Sequence, residues 1–177
     1  MKNVKSGYGR LAVRQADLPY PKSPQITMPN ILIRIPQDCL PASTKAELAA
    51  RVTEAAARIE QIPQDPACRS LCWVMLEEIA AGCWTCGGID MTARIIPVML
   101  QIYLPAGVVD DTPRAHYAAA LAEAIKSVLP GAPRRVVISS VFIDVADGYW
   151  GVDERIWRLG EFAQRAGYRH LQHLAQR

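Results

Sequence analysis

The chain contains no apolar run approaching the roughly 18 to 20 residues that cross a bilayer, and its start lacks the apolar stretch of a secretory signal. Neither a membrane span nor export is expected, and the cytoplasm is the expected location. Nor is there a run of Lys and Arg interleaved with aromatics. The net charge of +3 is concentrated early, because residues 1–28 hold Lys2, Lys5, Arg10, Arg14 and Lys22 against Asp17, and the remainder is slightly acidic. A body without a basic field excludes nucleic acid as an expected partner. Five cysteines cannot all pair within one chain, so reduced thiols are expected. Cys83-Trp-Thr-Cys86 has no second pair at zinc-finger spacing and no helix behind it to activate a redox thiol. Gly87-Gly88 lacks the longer nucleotide fingerprint and fits a tight turn instead. No cofactor and no metal are expected. His116 and the pair His170-x-x-His173 read as surface residues.

What the chain does have is one statement made twice. Pro29-Asn-Ile-Leu-Ile-Arg-Ile-Pro36 leads to a helical pattern around Lys45 to Glu60, a β-rich run from Leu71 to Ile79, and Ala-Ala-Gly-Cys-Trp84-Thr-Cys-Gly-Gly88. Val98-Met-Leu-Gln-Ile-Tyr-Leu-Pro105 then leads to a helical pattern around Arg114 to Leu129, a run from Val136 to Val145, and Ala-Asp-Gly-Tyr-Trp150-Gly. A constant shift carries Pro36 onto Pro105, Lys45 onto Arg114 and Glu54 onto Glu123; after a three-residue deletion Trp84 meets Trp150. A repeated strand-helix-strand unit organises the chain.

The element signals agree with the repeat. Ile31-Leu-Ile-Arg-Ile35 is a strand stopped by proline. Ser43 or Thr44, with Glu47 completing a capping box, predicts the first helix start; Thr112 as N-cap and Pro113 at the first helical position predict the second. A helix linking each pair of strands predicts parallel pairing within each unit. At 177 residues, 50% hydrophobic and 21% charged, one domain of two half-repeats is expected. The expected fold is α+β: two tandem β-α-β units, residues 29–92 and 95–155, forming a four-stranded sheet with two helices on one face. Residues 1–28 read as a disordered N-terminal extension, and 156–177 as a C-terminal helical tail beginning near Glu154.

The Met-Pro start, two helix starts and two Gly-x-Trp corners in register resemble the tautomerase superfamily. The likeness is to its fused two-unit members, closest to the cis-3-chloroacrylic acid dehalogenase group, and it covers residues 29 to about 155. It implies chemistry at a processed N-terminal proline, here Pro29, and an aromatic wall at Trp84 or Trp150. Physical chemistry supports such a base: an α-amino group titrates near 7.7 to 8.0 before any perturbation, and an apolar pocket lowers that value toward the pH where general bases work best. Pro29 follows 28 residues in the sequence, where its nitrogen is an amide without a basic lone pair. Translation starting at Met28, trimming of the extension, or a plain strand-start proline are the three readings.

Departures from the resembled pattern narrow the chemistry. Where the dehalogenase group carries a helix histidine and two arginines, this chain has Ala56, Pro105 and Val108; where the short 4-oxalocrotonate-like enzymes carry a strand arginine, it has Trp73 and Ser139. Base and wall are retained, the usual anion clamp is not. Arg34, Arg69, Arg94, Arg134 and Arg155 are the candidate substitutes, and Asp153 or Glu154 stands near the place of the family's second carboxylate. The expected function is a tautomerase or related isomerase of a small keto-enol or 2-hydroxydienoate acid, a small-molecule carboxylate substrate, with Pro29 as base. The alternatives are a hydratase, dehalogenase or decarboxylase of a 3-carbon acid needing a water-activating carboxylate, and a non-catalytic assembly subunit with a dead pocket. A sheet covered on one face only, like the resemblance, predicts a homotrimer.

Overall fold

The computed structural model describes residues 29–109, 111–129 and 131–175, with backbone alone at 111–113. The expected extension 1–28 lies outside the described residues.

Alternation of apolar and polar residues builds the sheet. β1 (Asn30–Pro36) turns Ile31, Ile33 and Ile35 inward at no more than 2% exposure, and β5 (Ile95–Pro105) does the same with Val98, Leu100, Ile102 and Leu104. β2 (Trp73–Ile79) lies parallel to β1, and β6 (Arg135–Val145) parallel to β5, while β1 and β5 run antiparallel in the centre of the order β2-β1-β5-β6. The deletion inferred from the sequence is visible in the register, since Asn30 faces Trp73 but Ile95 faces Arg135, three residues sooner.

One face of this sheet is covered by α1 (Ala42–Ile59) and α3 (Asp111–Ser127), which pack on each other as well. α1 is rich in alanine, the strongest helix former, and buries Leu48, Val52, Ala55 and Ala56; α3 buries Tyr117, Ala120, Leu121 and Ile125 at the matching spacing. The helix starts differ from expectation. Pro41 occupies the α1 N-cap without a side-chain bond, leaving Ser43 and Thr44 inside the first turn, and α3 already begins at Asp111, ahead of Thr112. Proline before the helix presets the extended entry that a capping hydroxyl otherwise secures.

Small elements complete the chain: a turn of helix α2 (Pro66–Arg69), the hairpin β3 (Thr85–Cys86) with β4 (Ile89–Asp90), and the hairpin β7 (Trp150–Val152) with β8 (Arg155–Trp157). Gly87 and Gly88, at φ 61° and 81°, form the two-residue turn of the first hairpin, as their sequence predicted. The helical reading from Glu154 onward is corrected: residues Arg155–Trp157 pair as a strand, and helix α4 spans only Leu159–Ala166 before a 3₁₀ turn at Arg169–Leu171. The apolar spacing of Ile156, Trp157 and Leu159 was mistaken for a helical period where a hairpin intervenes. Among the described residues no helix is long and apolar enough to cross a membrane.

Among the described residues the second sheet face has no covering layer of its own. Trp73, Met75, Val137 and Val141 on it are 50%, 42%, 38% and 41% exposed.

Candidate functional site

Topology decides which corner meets the proline. Since β2 runs parallel to β1, the corner bearing Trp84 follows the Pro36 end; since β6 runs parallel to β5 and β5 antiparallel to β1, the corner bearing Trp150 comes back beside Pro29. Pro29 is buried at the start of β1, its carbonyl accepting the Trp73 amide at 2.9 Å. The next residue, Asn30, lies opposite Tyr103 and helps line a hollow of about 350 Å³ with Met75, Tyr103, Val145, Tyr149, Trp150 and Gly151. The Asn30 Oδ1 atom is buried without a hydrogen-bond partner. Trp150 is half-buried and is held edge-on against Phe162 of α4, with ring centroids 5.9 Å apart, while Phe162 also meets Trp157 at 5.4 Å. Trp84, half-buried at the opposite end, is not among the residues lining this hollow.

The candidate cations sit elsewhere, and four of the five are engaged. Arg34 lies on the open sheet face four residues along β1, about 13 Å from Asn30 at strand rise, and donates to Glu77 and Gln101 at 2.7 Å each. Arg69 grips Glu54 and the Pro63 carbonyl, Arg134 donates to the Thr92 carbonyl, and Arg155 meets Glu161 at 3.0 Å. Arg94 is exposed just before β5, at the end of the sheet away from Pro29. Asp153 and Glu154 form the exposed two-residue turn between β7 and β8, Asp153 with φ 51°. Helix α4 takes its caps from other acids: Asp147 accepts the Leu159 amide at 2.7 Å, and Glu161 the Arg158 amide at 3.0 Å.

Where the dehalogenase pattern places its histidine and arginines, Ala56 and Val108 are buried at 0% and 3% exposure and Pro105 is buried too, so these positions serve the core. His170 departs from the surface reading, because its Nε2 pairs with the Val108 carbonyl at 2.9 Å; His173 is exposed. Among the described residues no cluster of three or more His, Cys, Asp or Glu is disposed to hold a metal. Sequence reasoning missed Asn30, Tyr103 and Tyr149. Strand alternation puts Asn30 on the face opposite Ile31, but only the β1–β5 register brings Tyr103 to it.

The hollow therefore combines an indole wall, two phenols and one amide beside a strand-start proline. Without a charged side chain among its lining residues, it favours a neutral form of any amine near it and offers hydrogen bonds to a carbonyl or enol oxygen.

No family model and no curated protein matches the sequence. Solved structures do. A native fused 4-OT is 26% identical with a TM-score of 0.55, over 72% of this chain and 95% of that one. A fused 4-OT symmetric trimer designated Q0 is 22% identical with a TM-score of 0.58, over 78% and 99%. Pt0534, inactivated by 2-oxo-3-pentynoate, is 21% identical with a TM-score of 0.59, over 72% and 95%. The chain has the fold of the tautomerase superfamily in its fused, two-unit form.

Proposed function

We propose that the protein is a tautomerase of a small keto-enol acid, with Pro29 as the general base once it is exposed as an N-terminus. The observation that carries this reading is the antiparallel joining of the two units, which sets the Trp150 hollow at the Pro29 end of β1. A secondary amine there takes a proton from a carbon next to a carbonyl and returns it to another atom; the Asn30 amide and the Tyr103 and Tyr149 hydroxyls steady the enol oxygen, and Trp150 excludes water. With neutral donors in place of a guanidinium, substrate carboxylate is held weakly and an aromatic substituent against Trp150 supplies the affinity, so an aryl enol acid fits better than a dienoate dicarboxylate. Asp153 and Glu154, exposed at a turn tip, favour tautomerisation over the water-activating alternatives. The kinship of fold with fused 4-OT structures supports the same class.

Chain beginning at Pro29 is expected to ketonise phenylenolpyruvate, followed by ultraviolet absorbance, whereas chain retaining residues 1–28 is silent because an amide nitrogen accepts no proton. Equal rates from the two would overturn the assignment.

The open face, with its exposed Trp73, Met75, Val137 and Val141, is read as the surface on which copies associate, in keeping with the trimeric fused 4-OT structures.

A further inference from the structure

Glu60, the C-cap of α1, is fully buried, the one charged side chain so placed among the described residues. Its Oε1 accepts a hydrogen bond of 2.6 Å from the Tyr117 hydroxyl of α3. Tyr168, between α4 and the final 3₁₀ turn, faces the carboxyl from another side without completing a hydrogen bond, so its hydroxyl and Glu60 Oε2 are both buried and unpartnered. Cys72, on the approach to β2, is the remaining titratable group bearing on this cluster; Arg69, which bears on Cys72, is committed to Glu54 and Pro63. Burial raises the Glu60 carboxyl to about 8 against the pull of the two phenols, and Cys72 is pushed up to about 12, so the cluster is neutral at neutral pH. A protonated carboxyl adds one donor to a core in which Glu60 Oε2 and the Tyr168 hydroxyl are unpartnered.

Tyr168 belongs to an arm packed into the core by Phe162, Ala163, Ala166, Tyr168 and Leu171, with few hydrogen bonds to the body. Arg169 N donates to the Gln61 carbonyl at 3.3 Å, Cys68 Sγ to the Arg165 carbonyl at 3.7 Å, and His170 pairs with Val108. The other side of the same helix carries Phe162, which backs Trp150. A mechanical line thus runs from Glu60 through Tyr168 and α4 to the indole of the hollow.

We propose that Glu60 anchors the C-terminal arm and is, through Phe162, a positioning residue for Trp150, so that docking of the arm is graded by pH. Docking itself is independent of any reaction; its consequence for the hollow rests on the function proposed above. The docked carboxyl titrates above its free value of 4.5, so undocking releases a proton between about 4.5 and about 8. Docking is then strongest below that window, weakens by up to about tenfold per pH unit within it, and is flat above it.

Limited trypsin cleavage at Arg165 and Arg169 of the full chain, with rates normalised to the denatured chain at each pH, tests this. Wild-type cleavage should rise from pH 6.5 to 8 by about tenfold per unit and then level off. Glu60→Gln, which cannot ionise, should be flat across the range. Equal slopes in the two overturn the anchor. Should the Gln variant fail to fold, Tyr168→Phe decides: it should cleave severalfold faster than wild type at pH 6.5, and wild-type rates there overturn the proposal. In chain beginning at Pro29, Glu60→Gln should also flatten the rise of KM with pH; a flattened cleavage profile with an unaltered KM profile overturns the positioning role. If no ketonisation is seen at all, the functional reading falls and the cleavage result still judges the anchor.

Discussion

In the first unit Lys45 of α1 reaches Glu78 at the end of β2 at 2.7 Å; in the second, Arg114 of α3 reaches Asp144 at the end of β6 at 2.6 Å. These are the same ion pair twice, fastening each helix to its second strand at repeat-equivalent positions. Past that point the units part. The first corner, Cys83 to Asp90, is a small hairpin exposed along nearly its whole length, whereas the second hairpin is backed by α4 and its Phe162. The repeat-equivalent positions Pro29 and Val98 differ as well, the first just ahead of β1 and the second inside β5. The repeat preserves what holds helices to sheet, and it leaves the corners and the positions of Pro29 and Val98 free to diverge. The strand order places Pro29 of the first unit at the same end of the sheet as the backed Trp150 of the second.

The sharpest way to break this comparison is at the repeat-equivalent pair Pro29 and Val98. In chain beginning at Pro29, Pro29→Ala should lower phenylenolpyruvate ketonisation by about 10²- to 10⁴-fold, the usual worth of a positioned base, while Val98→Ala, a core truncation, should lower stability and spare the rate per folded molecule. Similar losses from both would dissolve the distinction. The backing of the second corner comes next. Phe162→Ala should cost about 3 to 5 kcal/mol in urea unfolding, as a buried aromatic does, and Trp84→Ala at the unbacked corner much less; comparable costs would show that the arm contributes no packing.

The wall supplies a third contrast. An apolar neighbour opposes the protonated amine and lowers its pKa, so Trp150→Ala should admit water and move the acid limb of kcat/KM to higher pH, and Trp84→Ala should leave the limb in place. A shift from Trp84 alone would put the base at the other end of the sheet. Association ranks fourth: light scattering of residues 29–177 should give a trimer, and Val141→Asp on the open face should lower that mass. A wild-type monomer that stays folded on dilution would refute a shared face. Smallest of all, Lys45→Ala and Arg114→Ala should shift the unfolding midpoint slightly and alike, less so as salt is added, since exposed ion pairs are screened. The Lys45 bond holds the Glu78 carboxyl below the usual range, so the Lys45 pair stabilises above that range and its contribution is lost as pH falls through the depressed value.

Much of this was legible in the chain because it depends on short-range pattern. Alternating isoleucines give β1, alanine-rich spacing gives α1, and the shift between copies gives two equal units. The Gly87-Gly88 turn is likewise local chemistry. The proposed site was only half legible. Pro29 and Trp150 stand out by residue type, but nothing within either unit says that β1 and β5 run antiparallel, and that single long-range fact chooses Trp150 over Trp84 and adds Tyr103. The partners of Arg34, Glu77 and Gln101, likewise lie far away in sequence. Glu60 gave no signal, because a glutamate at a helix end is ordinarily solvated, and its burial is created by Tyr117 and Tyr168 arriving from two later elements.

The five unpaired thiols also furnish the molecule with a graded set of clocks. Cys83 and Cys86 are exposed, Cys39 and Cys68 are half-covered, and Cys72 is buried with its thiol pushed up to about 12. A thiol reagent at mild pH should therefore mark the first corner at once, Cys68 at the pace at which the arm lifts from the Arg165 carbonyl, and Cys72 when the core itself opens. Counting labels by mass against time would time the separate openings of corner, arm and core in one unmodified chain.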